Sequence, residues 1–366
     1  MKKYVRLLGS LILVGLLVWR IDWRQVASAF AQLNAAYWLL ALGVYLLTQG
    51  VSAARWQMLG HTLGLAGRWR DYLAYYFVGM FFNLVLPTSV GGDVVRAWYL
   101  ARMSTISDAS QKRRTLLRSV ANHSPGWAAF LSVLADRVNG LAVLIAVACV
   151  AAMYCPTPLP GWIVAFVAGM AAACLLGLAV LPLLPWLRRR LTHPRLTPLL
   201  DGAALCLRDR RGMIGVTLLS LVVQLANVVL AWLVGEGLGL QVPPLYYGVL
   251  IPLVSILTLL PISLNGMGVR ETGTVLLLAP LHVSPASAVT LSLLLFAVYA
   301  AASLLGGGVY LFSGWRVKIR ARSVSEGMSL VYASGSDFRP KEASGHADPV
   351  CGNSDQGRMR EPSTAA

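Results

Sequence analysis

Apolar residues form long runs along this chain, and short basic stretches separate them. A membrane helix needs about 20 predominantly apolar residues, and six runs approach or exceed that length. These six candidate spans cover about 5–21, 35–54, 129–153, 161–187, 212–236 and 285–312. Two further apolar runs, 71–86 and 246–261, are shorter. The eight hydrophobic segments predict an all-α polytopic membrane protein with about six full spans.

Each of the two shorter runs leads into a similar decapeptide. "PTSVGGDVVR" (87–96) and "PISLNGMGVR" (261–270) are identical at five of ten positions. Proline removes an amide donor and clashes with the preceding turn, so each copy predicts a break between two helices. A chance match in a Leu/Val/Gly-rich chain is the alternative. The prolines and glycines of the two breaks are Pro87, Gly91, Gly92, Pro261, Gly266 and Gly268. The glycines are expected to let a ligand approach the backbone.

The composition supports a membrane protein and argues against a nucleic-acid-binding one. The chain is 57% hydrophobic and 13% charged, whereas about a quarter of residues in soluble domains are charged. Its net charge of +16 comes from basic residues in loops between spans, where they report orientation. The loop at 188–211 has seven arginines, whereas 154–160 and 237–245 have no Lys or Arg. This bias predicts cytoplasmic N- and C-termini in the cell (inner) membrane.

The same charge bias predicts that the two short runs do not cross the membrane. Basic residues that include Arg55 precede the first run, and others follow its decapeptide, so both groups are expected in the cytoplasm. A re-entrant hairpin at about 71–103 fits this placement, and a second at about 246–283 enters from the opposite face. The two hairpins form an inverted repeat. In transporters, broken helices of such repeats meet near the midplane and build the binding site.

The decapeptides also carry charged residues suited to a phosphate. Arg96 and Arg270 lie about one turn into the helices that follow the breaks. There the positive helix end and a guanidinium both favour an anion. Asp93 lies three residues before Arg96 on the same helix face, so it is the expected partner. Glu271 projects about 100° away from Arg270, so we expect it to pair with the opposite hairpin.

A third charged group, Asp136 and Arg137 in "SVLADRVNGL", lies inside a predicted span. Two interpretations stay open. In the first, the side chains reach the cytoplasmic headgroup level or pair with a neighbouring loop. In the second, they line the path of a substrate.

Cysteine and histidine patterns indicate neither a metal site nor an enzyme. The five cysteines show no CxxC spacing and no histidine at ligand spacing, so we expect no metal, cofactor or disulfide framework. The five histidines are scattered across loops. No pattern of base and nucleophile emerges, and we expect no catalytic residues.

Three segments together resemble the flippase-like membrane region of lysylphosphatidylglycerol synthases. They are "FNLVLPTSVGGDVVRAWYLAR", "SVLADRVNGL" and "LPISLNGMGVRETG", in this order, and the resemblance covers roughly residues 5–315. It implies a protein of the lipid-flippase type; in bifunctional relatives this region moves aminoacylated phosphatidylglycerol between leaflets. The motif positions carried over are Pro87, Gly91, Gly92, Asp93, Arg96, Asp136, Arg137, Gly140, Pro261, Gly266, Gly268, Arg270 and Glu271.

The domain boundaries follow from the same comparison. Residues 1–322 are predicted to form the membrane domain, and 323–366, rich in small and polar residues, a disordered cytoplasmic tail. The soluble synthase domain of the bifunctional relatives is not expected here, so neither is the synthase activity. The basic insert at 104–128 is longer than the family's usual connection and could lie on anionic headgroups.

These observations favour a transporter. We expect it to move an anionic phospholipid or a polyprenyl-phosphate-linked lipid between leaflets, with Arg96 and Arg270 sharing one pocket for the phosphate. Two alternatives remain. The protein could assist a separate lipid-modifying enzyme or glycosyltransferase without transporting, or it could be a membrane-embedded transferase.

Overall fold

The computed structural model describes residues 23–65, 67–86, 91–108, 125–180, 197–259, 263 and 266–335. Within these ranges the protein is helical, with eleven α-helices and one short 3-10 helix at Ala279–Leu281. The α-helices are α1 Trp23–Ala31, α2 Ala35–Thr62, α3 Trp69–Val85, α4 Gly91–Asp108, α5 Pro125–Tyr154, α6 Gly161–Val180, α7 Thr197–Arg208, α8 Arg210–Gly237, α9 Pro244–Leu259, α10 Val269–Leu278 and α11 Pro285–Gly335.

Five helical segments in the described ranges are long and apolar enough to cross a membrane. They are Ala35–Thr62, Gly126–Tyr154, Gly161–Val180, Arg210–Gly237 and Pro285–Leu311. Each corresponds to one predicted span. The sixth predicted span, at 5–21, lies outside the described residues, so the total number of spans stays a prediction.

Both decapeptides interrupt helices, as their prolines and glycines predict. Helix α3 ends at Val85 and α4 begins at Gly91, while α9 ends at Leu259 and α10 begins at Val269. The two helices of each pair pack against each other. Pro87 and Pro261 themselves lie outside the described residues. The re-entrant path of each pair through the membrane stays a prediction.

The first helix pair packs on a small aromatic core. Trp56 of α2 and Tyr72 of α3 are fully buried there, with ring centroids 4.9 Å apart in an edge-on arrangement. Helices α4 and α5 close this core with small residues such as Ala97 and Ala129. The α3–α4 break is therefore held against the long helices α2 and α5.

The second helix pair packs on the largest apolar core. This core joins α9 and α10 to α2, α5, α6, α8 and α11. Helix α8 packs along α2, and α11 is fixed to α2 where Trp38 Nε1 donates to the carbonyl oxygen of Leu294 at 3.2 Å. The two breaks are thus built into different parts of one helix bundle.

The chain divides into two compact units, Met1–Gly314 and Trp315–Ala366. In the second unit, helix α11 continues to Gly335, past the predicted start of the tail at residue 323. Residues 336–366 lie outside the described part of the chain, where the disordered tail stays a prediction. All contacts discussed below belong to the first unit.

Candidate functional site

Glycines at the first break let the backbones of α3 and α4 touch. A Cβ added to Gly92 would lie 1.9 Å from the carbonyl oxygen of Gly79. The Gly92 amide donates to Asn83 Oδ1 at 2.8 Å, so an α3 side chain caps the start of α4. Gly91 begins α4. These glycines were predicted to admit a ligand to the backbone; at Gly92 the space is filled by α3 instead.

Asp93 joins two arginines at the start of α4. Its Oδ1 lies 3.1 Å from Arg96 Nε, as the three-residue spacing predicts. Arg137 of α5 donates Nε to Oδ2 and Nη2 to Oδ1, both at 2.9 Å. This two-point contact is the strong geometry for a guanidinium and a carboxylate. Asp93 thereby ties α4 to α5.

Asp136 joins two arginines from two other helices. The carboxylate is 2% exposed; its Oδ1 accepts from Arg55 Nε at 2.7 Å and its Oδ2 from Arg96 Nη2 at 3.4 Å. Arg55 also donates Nη1 to Ser220 of α8 at 3.0 Å. The Asp136 carboxylate is therefore enclosed by the bundle, whereas the choice between the two interpretations of Asp136 and Arg137 stays a prediction.

Arg55 lies in a helix and not in a loop between spans. Helix α2 continues past the predicted end of the span at residue 54 to Thr62 and includes Arg55. The residue is 5% exposed. A buried arginine needs a charged partner, because desolvation of an isolated ion is costly; Asp136 supplies that partner from a distant part of the sequence. Arg55 therefore pairs within the bundle, and the orientation that the basic residues predict stays a prediction.

The guanidinium of Arg96 is enclosed by aromatic rings as well as carboxylates. Its Cζ lies 4.9 Å from the Trp56 ring centroid and 5.0 Å from that of Tyr76. Trp56 is held by a hydrogen bond from Nε1 to Ser132 Oγ at 3.0 Å. Arg96 is 3% exposed. Cation–π contacts of this kind strengthen when both groups are desolvated.

The five charged groups form what we term the Arg96 cluster: Arg55, Asp93, Arg96, Asp136 and Arg137. Three guanidinium groups face two carboxylates, so the cluster carries one positive charge in excess. Arg137 has the most open side chain of the three arginines, with 54% of its surface exposed. An arginine at membrane depth requires a partner or water. The open face of Arg137 is therefore available to an anion.

At the second break, Glu271 organises the start of α10. Gly268 has a φ of 82°, which only glycine adopts easily, and its amide donates to Glu271 Oε2 at 2.7 Å. Arg270 donates Nε and Nη2 to Glu271 Oε1. We expected Glu271 to pair with the opposite hairpin. Among the described residues, its carboxylate instead caps its own helix and binds Arg270, whose long side chain folds across to reach it.

Arg270 lines a cavity of about 190 Å³. Its Nε donates to Ser292 Oγ at 3.2 Å, and its Cζ lies 4.5 Å from the centroid of the Phe296 ring. The wall combines hydroxyl groups with aliphatic side chains. The lining residues are Leu250, Ile251, Val254, Ser255, Thr258, Arg270, Thr274, Ser292, Leu295 and Tyr299. We call this the Arg270 cavity.

A tyrosine pair borders the Arg270 cavity. The rings of Tyr45 and Tyr299 have centroids 4.9 Å apart, and Tyr299 is one of the residues that line the cavity. Arg96 is not among the residues that line the Arg270 cavity. A single pocket shared by Arg96 and Arg270 therefore stays a prediction.

Several residues of the site did not stand out in the sequence. Trp56 and Tyr76 contact Arg96, whereas Ser220 binds Arg55, and Ser292 binds Arg270. Aromatic residues and serines are common in membrane helices, so their types alone gave no signal. The sequence did contain one signal for a buried ion pair: Arg55 directly follows the apolar run at 35–54.

Helix breaks flanked by buried ion pairs, within a bundle of long apolar helices, define a multi-pass integral membrane protein. The family model described as lysylphosphatidylglycerol synthase TM region matches residues 4–331, and the chain belongs to this family. This confirms the resemblance seen in the three sequence segments.

One curated relative is a protein of an archaeon. The chain is 22% identical over 145 residues to the UPF0104 membrane protein MJ1595 of Methanocaldococcus jannaschii. The match covers 39% of this chain and 38% of that protein, so the chain spans well under half of that relative's length. No solved structure matches the chain.

Proposed function

We propose that this protein moves an anionic, phosphate-bearing lipid between the leaflets of the cell membrane. The lipid is a phospholipid or a polyprenyl-phosphate-linked lipid. Membership of the lysylphosphatidylglycerol synthase TM region family is consistent with a flippase-like role. The observation that carries the proposal is the excess positive charge of the Arg96 cluster, because a charge held inside a membrane bundle attracts a mobile counter-ion of opposite sign.

Arg137 is the member of the cluster best placed to meet that counter-ion. Arg55 and Arg96 are buried, whereas more than half of the Arg137 side-chain surface is open. Its Nε and Nη2 are held by Asp93, which fixes the plane of the guanidinium. An incoming phosphate approaches the open face and shares the guanidinium with Asp93. The acyl or prenyl tails stay in the bilayer while the headgroup passes.

In the proposed transport cycle, the helix pairs on either side of the two breaks move. The α3–α4 pair is tied to α5 through Asp93 and Arg137, and the α9–α10 pair is tied to α11 through Arg270 and Ser292. Small rocking of one pair against the other opens the site to one leaflet and then to the other. The opposed orientation of the two pairs, and the cytoplasmic position of both termini, are part of this proposal.

A lipid panel in proteoliposomes tests the proposed charge selectivity. Fluorescent phosphatidylglycerol, phosphatidic acid and phosphatidylcholine are placed in separate vesicles, and bleaching of the outer leaflet reports exchange between leaflets. We expect the protein to accelerate exchange of the two anionic lipids well above that of phosphatidylcholine. Equal acceleration of all three lipids contradicts the selectivity for anionic lipids, and no acceleration of any lipid contradicts transport itself.

A further inference from the structure

We infer that helix α11 couples the two helix breaks, so that a shift at Arg270 is transmitted to the start of α4. The inference goes beyond the proposed function, because it concerns how the helices move together and holds whether or not a lipid is carried. It rests on a polar contact near the start of α11, a backbone contact further along the helix, and two contacts with α2 between them.

The start of α11 contacts the second helix break. Ser292, which is fully buried, accepts a hydrogen bond from Arg270 Nε at 3.2 Å. One turn further along α11, the centroid of the Phe296 ring lies 4.5 Å from Arg270 Cζ. Arg270 also binds Glu271, whose carboxylate caps α10 through the Gly268 amide. One guanidinium group therefore fastens the start of α10 to α11.

Further along, α11 contacts helix α3 through its backbone. A Cβ added to Gly306 would lie 2.0 Å from the carbonyl oxygen of Phe77, so the two backbones touch. A Cβ added to Gly307 would lie 2.8 Å from the Phe81 ring, and that ring stacks on Tyr310 with centroids 6.3 Å apart. Small residues let membrane helices approach this closely. No side chain between the backbones can rearrange, so α3 follows a displacement of α11.

The contact with α3 lies beside the first helix break. Two residues after Phe77, the carbonyl oxygen of Gly79 lies 1.9 Å from the position of a Cβ added to Gly92 of α4. Asn83 of α3 caps α4 through the Gly92 amide. Close-packed contacts transmit displacement rather than absorb it. The start of α4 therefore moves with α3.

Helix α2 holds α11 between these two contacts. Trp38 Nε1 donates to the Leu294 carbonyl oxygen at 3.2 Å, and the rings of Tyr45 and Tyr299 have centroids 4.9 Å apart. The contacts with the two breaks are 14 residues apart on α11, which is about 21 Å of helix. A stiff helix that is held at intermediate points and tilts at one end must shift at the other. A change at the second break therefore reaches the first.

Hydrogen exchange of the full-length protein in detergent, measured by mass spectrometry, tests the coupling from the second break to the first. Ser292→Ala removes the hydroxyl that binds Arg270 and changes no residue of α3 or α4. We expect amide exchange at the start of α4, residues 91–96, to rise at least three-fold, because local opening controls exchange. Ser303→Ala is the matched control, since this buried hydroxyl donates to the Tyr299 carbonyl of α11 itself. It should leave exchange in α4 unchanged.

The opposite direction must show the same link, because coupling between two sites is reciprocal. Gly306→Ala presses on the α3 backbone, and we expect exchange at the start of α10, residues 269–274, to rise at least three-fold. If this variant does not fold, Gly307→Ala takes its place, since it meets the Phe81 ring rather than backbone. Gly308→Ala is the control, because a Cβ there meets nothing within 4 Å.

Two results would overturn the inference. In the first, each variant changes exchange only at the break that it touches. In the second, exchange rises equally in α6, which would show a general loosening of the bundle rather than a link between the breaks. The measurement involves no lipid substrate, so its outcome is independent of the leaflet-exchange test of the proposed function.

Discussion

The rings of Tyr45 on α2 and Tyr299 on α11 lie with their centroids 4.9 Å apart, and Tyr299 also lines the Arg270 cavity at the second helix break. At the first helix break, the guanidinium of Arg96 instead lies against the rings of Trp56 and Tyr76. The two copies of the decapeptide therefore lead to unlike sites, one closed by aromatic rings and one open.

Asp136→Asn is predicted to destabilise the protein. Asp136 partners both Arg55 and Arg96, and its loss leaves two buried guanidinium groups without that carboxylate. Breaking a buried ion pair by removing one partner costs about 3–5 kcal/mol. Chemical unfolding in detergent measures the change. Glu236→Gln is the matched control, because Glu236 is exposed at the end of α8 and accepts a hydrogen bond from Trp232 of the same helix; a loss below about 0.5 kcal/mol is expected there.

Gly92→Ala is predicted to separate α3 from α4. The added Cβ would lie 1.9 Å from the Gly79 carbonyl oxygen, which is backbone and cannot rotate away. Overpacking of this kind typically costs about 1–3 kcal/mol. Gly169→Ala on α6 is the control, since a Cβ there meets nothing within 4 Å and alanine favours the helix by up to about 1 kcal/mol. Equal thermal stability of the two variants would contradict the described contact.

Cys206 is predicted to resist alkylation at neutral pH. The thiol lies in a small core between α7 and its neighbours, and burial raises its pKa to about 11. Little thiolate, the reactive form, is then present at pH 7, and labelling should accelerate as the pH rises toward 11. The control is Leu207→Cys, at the next position on α7, where the side chain is 38% exposed. Rapid maleimide labelling of Cys206 at pH 7 would contradict the packing of α7.

Membrane-impermeant labelling tests the opposed orientation of the two breaks. Val94→Cys and Met267→Cys replace side chains that are 58% and 48% exposed. If the helix pairs enter from opposite faces, the first is labelled from the cytoplasmic side and the second from the outside. Labelling of both positions from one side alone would refute the inverted repeat, though not the charge clusters.

Local contacts of the site were accessible from the sequence, and long-range contacts were not. Proline and glycine located both helix breaks, and the three-residue spacing identified the Asp93–Arg96 pair. The Asp93–Arg137 and Arg55–Asp136 pairs join residues 44 and 81 positions apart. Those pairs depend on how α2, α4 and α5 pack. The prediction that Glu271 pairs with the opposite hairpin failed for a different reason. Neighbouring side chains on a helix project about 100° apart, but the flexible Arg270 side chain reaches across that angle to Glu271.

The central claim is that the excess positive charge of the Arg96 cluster, exposed at Arg137, carries the phosphate of a lipid through the membrane. Leaflet exchange of fluorescent phosphatidylglycerol by the Arg137→Ala variant tests it most directly. Arg211→Ala, which removes an exposed basic residue outside both clusters, is the control. We predict at least a ten-fold slower exchange for Arg137→Ala and an unchanged rate for Arg211→Ala. A folded Arg137→Ala variant that moves the lipid at the unaltered rate would contradict the account.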